Sequence, residues 1–224
     1  MTSNVPLYQR DPAAGEAYLA EGNATQARKR VSADAILRDE AGRILLVDPG
    51  YKPGWDLPGG MAEANESPAD CVRREVKEEL GLDLRPGPVL CIDWVPPHGP
   101  WDDLLAFVFD AGVLSRESVA DIRLLDGELD GFEFCGELQT AQRLSPRAWR
   151  RVGAALDAGR VGCPAYLQDG NAWAPGTSWG AAGRREGLHA RLHRLPGRRR
   201  IWRALADCRG TLTCRKGRSG PCGR

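Results

Sequence analysis

The chain has 224 residues, of which 42% are hydrophobic and 27% charged, enough for one ordinary core with extra material beside it. No apolar run approaches the roughly 18 residues of a membrane span, and the opening MTSNVPLYQRDPAAGEAYLAEG lacks the basic-then-apolar order of a secretory signal, so a cytoplasmic protein is expected. The net charge of +1 hides an imbalance: residues 171–224 carry 12 Arg and one Lys against Glu186 and Asp207, a net of +11, which leaves −10 for residues 1–170.

Two parts of opposite charge argue for a boundary near Gly170. Before it, residues 1–30 read as a weak helix or an extended lead-in to a domain over 31–170. Residues 31–37 and 43–47 are strand candidates around the acidic turn Asp39-Glu40-Ala41-Gly42, which makes a hairpin. Pro49-Gly50, Pro53-Gly54 and Pro58-Gly59-Gly60 then mark a loop.

The strongest helix follows. Ser67 is a good N-cap, Pro68 suits the first helical position and Asp70 stands where a capping-box carboxylate would. Ala69, Val72, Val76 and Leu80 form an apolar stripe, and Gly81 ends the helix as its C-cap. Residues 89–95, 104–109 and 132–135 are further strand candidates. A second Ser-Pro start at Ser145-Pro146 opens a helix with Trp149, Val152 and Leu156 on one face, expected to end at Gly159. Strands mixed with capped helices indicate an α/β (α+β) fold with a mixed sheet and helices on its faces. Beyond Asn171 periodicity decays into Gly, Arg and Pro, and residues 171–224 read as a basic, poorly ordered tail.

The helix after Ser67 also carries the chemistry. Glu75, Glu78 and Glu79 lie at i, i+3 and i+4, so their side chains meet on one face beside the apolar stripe. Three adjacent anions repel, and a hard divalent cation would relieve that repulsion. Taken alone, a solvated acidic face is the usual explanation of an EE pair. The surroundings decide otherwise. Gly60, five residues, Glu66, seven residues, Arg74-Glu75-Val76, one residue, Glu78-Glu79, one residue and Gly81-Leu82 follow the pattern G-x5-E-x7-R-E-U-x-E-E-x-G-U, where U is bulky and aliphatic.

This is a complete Nudix box, and the chain resembles Nudix hydrolases over about residues 30–170. The approach Trp55, Leu57, Pro58, Gly59, Gly60 resembles the family too. The resemblance implies an α/β/α sandwich and metal-dependent hydrolysis of a diphosphate linkage in a nucleoside diphosphate-type substrate. It makes Glu75, Glu78, Glu79 and the Gly59 carbonyl the ligands of Mg²⁺ or Mn²⁺, with Gly60, Glu66 and Arg74 supporting the site. Glu78 and Glu79 are then also catalytic candidates. The general base often lies outside the box in this family, and the loop Asp126-Gly127-Glu128-Leu129-Asp130-Gly131-Phe132-Glu133 offers Glu128 first and Glu133 second.

Weaker signals complete the reading. Trp55, Trp94 and Trp101 flank the expected site, and Trp55 and Trp101 are candidates for substrate stacking; packing is the alternative for each. His98 is read as a surface-loop histidine. The seven cysteines make no CxxC pair and read as small apolar residues. His189 and His193, with Cys208, Cys214 and Cys222, match no common zinc spacing. The tail, with Trp202, fits a disordered extension, a salt-sensitive nucleic-acid contact or an altered reading frame. The expected partner is a small nucleotide-type substrate, with no membrane partner and a homodimer left open. The rival to an enzyme is a Nudix-type nucleotide-binding sensor.

Overall fold

A computed structural model describes residues 5–173 except residue 126. The tail beyond 173, with His189, His193, Trp202, Cys208, Cys214 and Cys222, lies outside the described residues, as does Asp126. No described helix is long and apolar enough to cross a membrane.

In chain order the elements are α1 (Leu7–Arg10), α2 (Pro12–Thr25), β1 (Arg30–Arg38), β2 (Ile44–Pro49), β3 (Gly59–Met61), α3 (Pro68–Leu80), β4 (Val89–Val95), β5 (Leu104–Val113), α4 (Arg116–Ala120), β6 (Leu129–Cys135), α5 (Glu137–Arg143), α6 (Pro146–Val161), β7 (Ala165–Gln168) and β8 (Asn171–Ala172). The strands form one sheet in the order β6-β2-β1-β5-β4-β7-β8. Pairings β1–β5 and β4–β7 are parallel and the others antiparallel, so the sheet is mixed. One edge of β1 is shared: its last residue meets β2 at Arg38–Ile44, while residues 32–34 pair with β3.

The pleat of β1 sorts its side chains between two cores. Ala33, Ala35 and Leu37 join Cys71, Val72, Val76 and Leu80 of α3 on one face. Ile36, of opposite parity, joins Val152 and Ala155 of α6 on the other. The result is the expected helix–sheet–helix sandwich. Val72, Val76 and Leu80 are wholly buried, and each such side chain is worth about 1.5–3 kcal/mol.

Both Ser-Pro starts are helix starts. Ser67 Oγ accepts from Asp70 N at 3.1 Å, and Ser145 Oγ accepts from Ala148 N at 3.2 Å. Several boundaries need correction. Helix α6 runs past Gly159 to Val161, and the left-handed stop is Gly162 (φ 74°); Gly159 merely packs near Leu90 inside the helix. Strand β5 extends to Val113 and β6 begins at Leu129, because each has a paired neighbour to continue against. The sheet also passes the expected boundary at Gly170, since β7 turns through Asp169 and Gly170, both at positive φ, into β8. The lead-in contains helices α1 and α2, the latter capped by Asp11, whose carboxylate accepts from Ala14 N.

Candidate active site

The box residues meet at a glycine turn. Gly59 pairs with Asp34 across β3 and β1 and holds φ at 141°, with no room for a side chain: an added Cβ would lie 2.3 Å from the Ala33 carbonyl oxygen. At Gly60 the same Cβ would lie 2.5 Å from the Glu75 carboxylate. The space denied to residue 60 is therefore filled by Glu75. Glu79, one helical turn on, accepts from the Gly59 N–H at 2.9 Å. Two of the three expected ligand carboxylates thus converge on one turn of backbone.

Arg74 organises the acidic face. Its Nε and Nη2 each donate to Glu66 at 2.9 Å, a two-pronged contact. Nη2 also reaches the Met61 carbonyl, and Nη1 bridges Glu75 at 2.9 Å and Glu78 at 3.0 Å. The guanidinium holds the Glu66 carboxyl down to about 2, helped by the Glu63 N–H. Glu75 is raised instead, because burial and the nearby Glu78 and Glu66 charges outweigh Arg74. Among the described residues the carboxylates are not preassembled as a three-ligand cluster; Glu75 and Glu78 share the Arg74 charge.

A cleft of about 270 Å³ opens beside this turn. Gly59, Gly60, Glu79 and Glu128 are among its lining, so Glu79 and the first-choice base candidate face a common space. Glu133 does not line it; that carboxylate pairs with Arg143 and accepts from Gln139. Glu78 lies in a separate open hollow with Arg73, Arg74, Lys77 and Leu125. Neither tryptophan candidate lines the cleft. Trp55 lies under the Arg143 guanidinium at 4.3 Å, and Trp101 under that of Arg30 at 4.6 Å. Trp94 donates its indole N–H to Asp103 at 2.9 Å, and His98 shares Nδ1 with the Pro96 carbonyl within its loop.

The same cleft has further lining that the sequence did not single out. Leu144, Ala148 and Val152 give it an apolar patch, and Arg151 and Asp34, the strand partner of Gly59, line it as well. Arg151 Nε donates at 3.0 Å to Asp93, a wholly buried carboxylate that also accepts from the Gly170 N–H. Its Nη1 lies 3.8 Å from Asp34. Burial pushes the Asp34 carboxyl up to about 7 against the opposing Arg151 charge, with Asp56 adding to the rise. The signal in the sequence was an acid inside each of two apolar strands, Asp34 in VSADAIL and Asp93 in VLCIDWV. A buried carboxylate demands a partner, but the sequence does not say which Arg supplies it.

Comparison with known proteins identifies the family. The family model described as NUDIX domain matches residues 28–152. The 8-oxo-dGDP phosphatase NUDT18 of Homo sapiens is 32% identical over 99 residues, 41% of this chain and 29% of that protein. ADP-ribose pyrophosphatase of Methanocaldococcus jannaschii is 31% identical over 90 residues, 39% of this chain and 53% of that protein. The chain thus spans about half or less of the curated relatives it matches. Among solved structures, the NUDIX domain of Shewanella oneidensis NrtR complexed with ADP ribose superposes with a TM-score of 0.51 at 18% identity, over 63% of this chain and 96% of that one. That likeness speaks to the fold alone. With the family model covering more than half of its residues, the chain belongs to the Nudix family.

Proposed function

We propose that residues 31–170 form a divalent-metal-dependent hydrolase domain that cleaves a diphosphate linkage in a nucleotide-type substrate. The observation that carries this reading is the convergence of Glu75 and Glu79 on the Gly59-Gly60 turn at the side of a cleft that Glu128 also lines. The donor set suits Mg²⁺ or Mn²⁺: hard carboxylate oxygens and a nearby backbone carbonyl. A single guanidinium nitrogen already touches both Glu75 and Glu78, so these two carboxylates reach one positive centre without moving the helix. Glu75, Glu78, Glu79 and the Gly59 carbonyl would hold the cation, exchanging part of the Arg74 contact for it.

When bound, the cation neutralises diphosphate oxygens and lowers the pKa of the attacking water. The protein does the rest. Glu66 fixes Arg74, and Arg74 keeps Glu75 and Glu78 within reach of one another. The Gly59 N–H holds Glu79 at the edge of the cleft. Glu128 takes the water proton as general base. Relatives named for ADP-ribose and for 8-oxo-dGDP both act on nucleoside diphosphates, which supports the same bond type here. The same proposal includes a cytoplasmic location and leaves residues 171–224 as a separate basic tail.

The experiment is a panel of nucleoside diphosphate sugars, ADP-ribose, oxidised nucleotides and dinucleotide polyphosphates incubated with Mg²⁺ or Mn²⁺, with products identified by chromatography. Release of a nucleoside monophosphate or inorganic phosphate is expected from at least one compound. Saturable nucleotide binding with no turnover under any metal would overturn the hydrolase and favour a sensor.

A further inference from the structure

The lining of the cleft is of two kinds. Part is glycine backbone and carboxylate; the rest is an apolar patch with the Arg151 guanidinium and the Asp34 carboxylate in the same lining. This apolar wall is built by Leu144, Ala148 and Val152, four residues apart along α6 and the residues leading into it, with Leu57 of the same apolar cluster also in the lining. A flat, uncharged ring fits such a wall better than a sugar or a phosphate does, because burying apolar surface rewards it and charge would be desolvated.

Arg151 is anchored along one edge. Its Nε is spent on Asp93, which is itself fixed by the Gly170 N–H, so the planar fork cannot rotate freely. The fork's outer edge points along Asp34, with Nη1 3.8 Å from the carboxylate. That separation is an ion pair but too long for a hydrogen bond. Donor edge and acceptor edge therefore stand side by side, each with hydrogen-bonding capacity left for a third group. Ser32, on the same face of β1 as Asp34, also lines the cleft.

We propose that the Asp34–Arg151 pair reads the edge of a guanine base, a reading that rests on the nucleotide hydrolase proposed above. Guanine presents a carbonyl acceptor, then an N–H, then an exocyclic amino group along one edge. The Arg151 fork donates to the carbonyl, with N7 beside it as a second acceptor. The Asp34 carboxylate accepts from the ring N–H and the amino group. Adenine has an amino group where guanine has the carbonyl, and leaves one donor of the fork unmet. Uracil offers no second N–H donor to Asp34. A buried group left unpaired in this way costs more than a hydrogen bond gains.

The test measures binding apart from hydrolysis, using GMP, IMP, AMP and UMP titrated calorimetrically into the full chain without metal. GMP is expected to bind tightest, IMP about fivefold weaker for lack of the amino group, and AMP and UMP at least about tenfold weaker than GMP. Asp34→Asn should bring GMP and IMP within about twofold of one another. Arg151→Lys, which keeps a cation beside Asp93 but loses the fork, should weaken GMP and IMP alike by about tenfold. Equal affinities in the unmodified chain, or no saturable binding of any of the four at millimolar concentration, overturn the proposal. So does an unchanged GMP-to-IMP ratio in folded Asp34→Asn. Guanine preference without turnover on any diphosphate would remove the hydrolase alone; turnover without base preference would remove this inference alone.

Discussion

Helices α3 and α6 are built to the same local plan and both contribute to the lining of one cleft. Each begins with a Ser cap followed by Pro, at Ser67-Pro68 and Ser145-Pro146. Each ends on a left-handed glycine, Gly81 at φ 73° and Gly162 at φ 74°, whose N–H closes the last turn. Each buries one stripe against the same sheet, on opposite faces. They differ in the residues beside the stripe. On α3 these are carboxylates gathered by Arg74 at a glycine turn; on α6 the corresponding feature is Arg151, anchored inward to Asp93. The caps and stripes place a helix, and the flanking charges set what it presents to the cleft.

The comparison can be broken from either side. The largest effect on folding is expected at α6. Arg151→Met strips the buried Asp93 carboxylate of its cation, and breaking a buried pair in this way costs about 3–5 kcal/mol. Chemical denaturation should show it; a loss below about 1 kcal/mol would mean Asp93 finds another partner.

At α3 the expected effect falls on activity instead. Gly60→Ala places a carbon where the Glu75 carboxylate now sits, so Glu75 must swing aside. Turnover should fall about a hundredfold, equivalent to about 2.7 kcal/mol, while the melting temperature moves by a few degrees at most because the displaced group is the end of a flexible side chain. Full activity in this variant would separate Glu75 from the site.

A smaller effect is set by pH. The Glu66 carboxyl is held at about 2 in the fold, well below its ordinary value, so its pairing with Arg74 contributes fully above about pH 4.5. That contribution, on the order of 2 kcal/mol, is lost as pH falls from there toward 2. Glu66→Gln should lower stability at pH 7 and converge with the unmodified chain near pH 2. Parallel curves across that range would contradict it. Smallest of all, Ser67→Ala and Ser145→Ala should each cost about 1 kcal/mol, with the larger loss at Ser67, whose hydroxyl also bonds the Asp70 carboxylate. A cap that mattered at only one helix would show that the shared plan is superficial.

Much of α3 was legible because its information is local. The cap, the stripe, the three carboxylates and the glycine stop all lie within one continuous segment, and helical geometry alone puts Glu75, Glu78 and Glu79 together. The α6 end was not legible for the opposite reason. Arg151, Asp93 and Asp34 come from three elements that only the strand order β1-β5-β4 and the packing of α6 on that sheet bring together. Asp34 could be read as an odd acid in a strand, but its partner could not. The two short strands after Gly162 were missed because four residues and two residues carry no periodicity. Glycine commonly ends helices, which favours Gly159 as the stop of α6 in the sequence, and the true stop three residues later is another glycine.

The central claim is that the α3 end performs metal-dependent diphosphate hydrolysis. Glu79→Gln tests it most directly, because the amide oxygen can still accept from the Gly59 N–H and the fold should persist. Initial rates on the best substrate of the panel, measured across a Mg²⁺ titration, should fall at least about a hundredfold at saturation, and the half-saturating Mg²⁺ concentration should rise. Unchanged turnover with an unchanged Mg²⁺ dependence would contradict the account.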